Sequence, residues 1–122
     1  MNKAQALESF WNSFGIPAYE ENSVPDKAGM PYITYSKIFD TIGNVAPMNA
    51  SLWYYSDSWT AIHRKFNEIS QRINENGYVN IPLDNGYMVI MQGTPFGQSI
   101  SDTNDKVKRI YINISVEYLT SY

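Results

Sequence analysis

His63 is the residue to weigh first, because imidazole is the usual proton carrier near neutral pH and this chain has one histidine. Arg64 and Lys65 follow it directly, and no second ligand or base stands within helical reach. A partly exposed helix histidine is the better reading. Glu20 and Glu21 are adjacent carboxylates, but neighbours in an extended chain point to opposite sides and make a poor acid–base pair. Arg64, Glu68 and Arg72 recur at i, i+4 and read as a charged ladder on a helix surface, worth a few tenths of a kcal/mol per pair. Lys106, Lys108 and Arg109 form the basic cluster, suited to nucleic acid, to an acidic subunit, or simply to water. The chain has no cysteine, so disulfides, thiol chemistry and cysteine-based zinc sites are excluded. Its glycines are scattered and no Gly-Lys-Ser/Thr occurs, so there is no phosphate loop. Asn49-Ala-Ser51 and Asn113-Ile-Ser115 match the glycosylation sequon, yet both lie in expected strands and are read as chance. The expectation is no enzyme activity, no catalytic residue, no cofactor and no metal.

The elements behind these residues are organised around residues 49–76. A strand at 49–56 leads through Asp57-Ser58 into one long helix that stops at Asn76-Gly77. Ile62, Phe66, Ile69 and Ile73 fall at offsets of four, three and four, with Trp59 one turn earlier, which makes a single apolar stripe. Asp57 or Ser58 is expected to cap the helix, and Gly77 to end it in a left-handed conformation. Upstream, Ala4, Leu7, Phe10, Trp11 and Phe14 mark a short amphipathic helix ended by Gly15 and Pro17. Residues 16–31, with three prolines and a glycine, read as an extended connector.

Strands are expected at 32–38, 78–83, 87–92 and 110–118. Asn85-Gly86 predicts a type I′ hairpin, and Pro82 places its strand at an edge or gives it a bulge. In the last strand Ile110, Ile112, Ile114, Val116 and Tyr118 alternate with Tyr111, Asn113, Ser115 and Glu117, giving one apolar and one polar face. Residues 93–105 are polar apart from Phe96 and Ile100 and read as a long loop, mobile until it docks. The fold class is therefore α+β in a single domain over 1–122: an antiparallel-dominated sheet of about five strands, two helices on one face, order α-β-β-α-β-β-β. Ile62, Phe66, Ile69 and Ile73 should be buried against Ile110, Ile112, Ile114 and Val116.

Composition narrows the function. A net charge of −3 argues against a nucleic-acid surface, whose footprint is basic. Charged residues make up 17% of the chain and aromatics 15%, ten of them tyrosine, a balance that fits a surface partly covered by other chains and equally a tyrosine-rich monomer surface. No apolar run has the length of a membrane span, and residues 1–6 lead into no signal core, so the expected location is the cytoplasm of its maker.

The runs Phe10-Trp-Asn-Ser-Phe-Gly-Ile-Pro-Ala-Tyr19, Val24-Pro25, Met30-Pro-Tyr-Ile-Thr-Tyr35 and Trp53-Tyr-Tyr-Ser-Asp-Ser-Trp59 resemble a family of small phage and prophage proteins encoded among head–tail joining and minor tail genes. The element order is similar to that of the tail terminator, or tail completion, proteins of long-tailed phages. The resemblance covers most of the chain, and its motifs are structural. It implies a homo-oligomeric, hexameric ring that caps the finished tail tube, stops its polymerisation and presents a surface to the head connector or neck. The implied partners are the major tail tube protein and the connector. DNA passes through the ring without sequence-specific binding, and no membrane is involved. The implied location is the host bacterial cytoplasm during assembly and then the virion. A head-completion, neck or other minor tail protein is the near alternative. A small ligand-binding module or enzyme, with its pocket under residues 93–105, is the distant one. Candidate contact residues are Trp53, Tyr55, Phe96, Ile100, Lys106, Lys108 and Arg109, with segments 39–48 and 93–105 as surfaces.

Overall fold

The computed structural model describes residues 1–39 and 44–120. Helix α1 spans Lys3–Trp11 and runs into a 3-10 turn at Asn12–Phe14; helix α2 spans Thr60–Asn74. The strands are β1 Ala18–Glu20, β2 Tyr32–Tyr35, β3 Val45–Tyr55, β4 Val79–Leu83, β5 Gly86–Ser101 and β6 Val107–Thr120. They form one six-stranded sheet in the order β1-β2-β3-β6-β5-β4, antiparallel except for the β1–β2 pair. The α+β class and the two helices stand. The sheet has one strand more than expected, because three residues of the proline-rich connector pair in parallel with β2, Ala18 opposite Ile33. So short a strand carries no period that a sequence can reveal.

Sheet and helices enclose one core. Ile62, Ile69 and Ile73 of α2 are fully buried, as are Ile112 and Val116 of β6, with Ile110 and Ile114 nearly so. Ala6, Leu7, Phe10 and Trp11 of α1 join the same cluster. α1 touches both β1 and β4, the two edges of the sheet, so the sheet curls around the helices. The first residue fastens this closure: the Met1 ammonium lies 2.6 Å from an Asp84 carboxylate oxygen in the β4–β5 turn. A capping box starts α1, Gln5 N–H donating to Asn2 Oδ1 at 2.8 Å and Asn2 N–H to Gln5 Oε1 at 3.0 Å.

Several local expectations change. Trp59 occupies the N-cap of α2 without a side-chain bond, while Ser58 Oγ accepts the first-turn amide of Thr60 at 3.4 Å. Glu68 pairs with Lys65 at 2.9 Å, and the ladder to Arg64 and Arg72 does not form among the described residues. Lys65 is held in place because its ammonium also donates to the Phe14 carbonyl at 2.7 Å. The β4–β5 hairpin turns on Asp84-Asn85, neither with positive φ, and so is not type I′; Gly86 (φ 150) takes the unusual conformation instead. Pro82 does lie in an edge strand, opposite Tyr87. Among the described residues no helix is long and apolar enough to cross a membrane.

The largest correction concerns residues 93–105. They are not a long loop: β5 continues to Ser101, and residues 102–106 alone make the turn into β6. Polar composition hid the strand, because from Gly97 onward its outer edge has no neighbouring strand and its side chains meet water. Between Gln92 and Gly97 the register breaks, with residues 93–96 bulging opposite Asn113. Asn113 Nδ2 closes the bulge by donating to the Pro95 carbonyl at 2.8 Å.

Phe66 is half-buried rather than core, its ring 5.3 Å from that of Phe96. It lies over Gly97, where an added Cβ would come within 2.4 Å of Phe66 Cζ. Gly97→Ala should therefore push the ring aside and cost about 1–3 kcal/mol in urea unfolding. A loss below about 0.5 kcal/mol, the range of neutral surface changes, would mean that the Phe66 contact contributes little.

Candidate interaction face

Alternation along β3 and β6 sorts their side chains onto two faces. Ala46, Met48, Ala50 and Leu52 of β3 and the even-numbered residues of β6 point to the helices and are buried. The odd-numbered set faces the other way, where neither helix packs: Pro47, Asn49, Ser51, Trp53 and Tyr55 on β3, and Arg109, Tyr111, Asn113, Ser115 and Glu117 on β6. Arg109 and Glu117 are the charged strand residues in that set. Trp53, Tyr55, Tyr111 and Arg109 on this face are of the residue types enriched at interfaces.

Cross-strand register builds this face in rows. Tyr32, Trp53, Arg109 and Ile100 stand opposite one another across β2, β3, β6 and β5; Thr34, Ser51, Tyr111 and Gln98 form the next row. The Arg109 guanidinium carbon lies 4.7 Å from the Trp53 ring centroid and 5.6 Å from that of Tyr111, both within cation–π range. Arg109 Nε donates to Ser51 Oγ at 3.0 Å, and Trp53 Nε1 donates to Thr34 Oγ1 at 2.9 Å. These bonds hold two large side chains in single orientations. Tyr32 and Tyr19 extend the aromatic surface, their ring centroids 5.9 Å apart. Beside Arg109 opens a cleft of about 560 Å³, lined also by Glu21, Val24, Asn49 and Tyr111.

The structure brings some of the expected contact residues together and separates others. Trp53, Arg109 and Ile100 share one row. Tyr55, 58% exposed, lies further along the face, with the Lys106 ammonium 6.0 Å from its ring centroid. Lys108 is buried on the helix side, its ammonium donating to the Asp105 carbonyl and lying 5.6 Å from the Trp59 ring centroid. The basic cluster is thus split between two faces, since strand neighbours point apart. Phe96 also belongs to the helix side, against Phe66. Of segment 39–48, residues 40–43 lie outside the described residues and 45–48 belong to β3. Glu21, Thr34, Ser51 and Tyr111 were missed as site residues. Alternation in the last strand puts Tyr111 beside Arg109, but Ser51 and Thr34 join them only through pairing register.

The tyrosines with raised pKa values, Tyr35, Tyr54 and Tyr118, all lie on the helix side, with burial as the leading cause in each. His63 is exposed and its ring stacks on Trp59 at 5.7 Å between centroids. Among the described residues no cluster of three or more histidines and carboxylates could hold a metal ion. The chain matches no family model and no curated protein.

Proposed function

We propose that the protein is a structural subunit that acts by docking its uncovered sheet face. Following the resemblance of its aromatic and proline motifs, it would be a phage or prophage tail terminator, a ring that caps the tail tube and meets the head connector. The observation behind the docking reading is the Tyr32–Trp53–Arg109 row, which presents preorganised aromatic and guanidinium groups on a face that neither helix covers. Aromatic and arginine anchors of this kind carry a large share of interface energy. A neck or head-completion ring would use the same face against a different neighbour. The enzyme alternative placed its pocket beneath a loop at 93–105. Those residues are strand as far as Ser101, and the cavity at the turn, lined by Trp59, Asp102, Asn104 and Lys108 among others, measures about 120 Å³. That falls short of the roughly 300–1,000 Å³ of ligand pockets.

The test is assembly of tails in the presence and absence of the protein. Tubes grown with it should stop at uniform length and join heads, and deleting the gene should give overlong tubes without heads. Tubes of normal length that still bind heads would overturn the terminator reading and leave the neck role in front.

A further inference from the structure

Arg109 is a fixed cation with an unused edge. Its side chain is half-buried, its guanidinium is held against the Trp53 and Tyr111 rings, and its Nε donates to Ser51 Oγ at 3.0 Å. The remaining N–H donors of an arginine sit on its two Nη groups. Among the described residues none of them meets an acceptor. Other polar groups lining the same cleft are also unengaged: among the described residues the side chains of Glu21, Tyr32, Asn49 and Tyr111 make no hydrogen bond or ion pair. Ser51 and Thr34 accept from Arg109 and Trp53, and each hydroxyl keeps its own proton to donate. The cleft thus joins one held cation to hydroxyls, an amide and a single carboxylate, with the Trp53 ring in its wall. Its volume, about 560 Å³, lies within the roughly 300–1,000 Å³ of ligand pockets.

We propose that this cleft binds a sugar acid, a small ligand with one carboxylate and several hydroxyls. The carboxylate takes both Nη groups of Arg109, because the planar fork matches two parallel N–H···O bonds. The hydroxyls exchange bonds with Tyr32, Asn49 and Tyr111, and they donate to the Glu21 carboxylate, which accepts. The aromatic wall offers a flat apolar surface to the C–H face of the sugar ring. Glu21 also selects among anions. It repels a dianionic phosphate more strongly than a monocarboxylate. A plain carboxylate such as acetate leaves the hydroxyls and the amide to water, and a neutral sugar leaves the Arg109 fork unused. The proposal goes beyond the docking reading of this face, since it needs no partner chain and is tested on the purified protein.

The probe is D-glucuronate, titrated into the full chain at low salt and followed by the NMR signals of the indole N–H groups. The chain has three tryptophans, and the signal lost in Trp53→Phe marks the one in the cleft. That signal should shift and saturate with a Kd on the order of 1 mM, the scale for a ligand of this size, while those of Trp11 and Trp59 stay in place. Glucose, acetate and inorganic phosphate should each bind about tenfold more weakly or worse. Arg109→Lys keeps the charge and removes the fork, and should weaken glucuronate about tenfold. If that variant does not fold, the exposed Glu21 gives the second test. Glu21→Gln should tighten inorganic phosphate about threefold or more, without tightening glucuronate to the same extent. No movement of the Trp53 signal at about 10 mM glucuronate, ten times the expected Kd, would overturn the proposal. Equal binding of acetate, glucose or phosphate would do the same, as would indifference of phosphate binding to Glu21→Gln. The tail-capping test contains no sugar acid, so a failure here leaves the docking reading intact.

Discussion

Ile112→Ala should lower the free energy of unfolding by roughly 2–5 kcal/mol. Ile112 is fully buried at the middle of β6, between Ala50 on β3 and Gly97 on β5. Its cross-strand neighbours are thus the two smallest side chains available, and neither can lean into the space left by a truncated isoleucine. The helix above is equally constrained, with Ile62, Ile69 and Ile73 themselves fully buried. Phe66, half-buried over Gly97, can shift toward the space, so the cost should fall within this range rather than at its top. Against a typical total of about 5–15 kcal/mol, that is a large fraction of the stability. Urea unfolding should show a lower midpoint with an unchanged slope. Tyr55→Ala, at a site 58% exposed, should change stability by no more than about 0.5 kcal/mol. A loss under about 1 kcal/mol for Ile112→Ala would mean that helix and sheet are not packed as described.

The second large effect is alkaline unfolding driven by Tyr118. Its side chain is fully buried, and its hydroxyl donates to the Ile38 carbonyl at 2.8 Å. Burial pushes its pKa up to about 12 from 10.0. The sign follows from which state loses its proton first. Below pH 10 the phenol is neutral in both states and the full stability is present. Above that, the unfolded chain ionises while the folded one resists, so stability falls until the folded group titrates near pH 12. The loss across this window is on the order of 3 kcal/mol from this residue alone. Tyr35 and Tyr54, also raised by burial, add to it in the same direction. Tyr118→Phe should cost about 1–2 kcal/mol at neutral pH, because it removes the donor to Ile38, and should flatten the decline above pH 10. An unchanged alkaline profile in the variant would show that other groups govern it.

How much of this was legible in the sequence depends on the range of the interactions involved. The α2 stripe and the alternation of β6 were readable because each is a local period, set by helix or strand geometry and filled by apolar side chains that must leave water. The extra strand β1 was not readable, since three residues carry no period and pair only because β2 lies alongside. The second half of β5 was misread for a related reason. Gln98, Ser99 and Ser101 look like loop residues, yet β6 supplies a hydrogen-bonding edge that overrides composition.

The candidate site divides along the same line. Trp53, Tyr55, Ile100, Lys106 and Arg109 are candidate contacts on side-chain chemistry alone, and the structure places Trp53, Arg109 and Ile100 in one row. Only the tertiary structure separated Lys108 and Phe96 from them, because strand pleat and the bulge at 93–96 decide which face each residue meets. Only pairing register placed Ser51 against Arg109 and Thr34 against Trp53. By itself the sequence determined the α+β class, the main core stripe and the absence of cysteine, cofactor-loop and multi-histidine chemistry. The tertiary structure decided the six-strand order, the uncovered face and the cleft around Arg109, because those depend on contacts between residues distant in the chain, which no local pattern encodes.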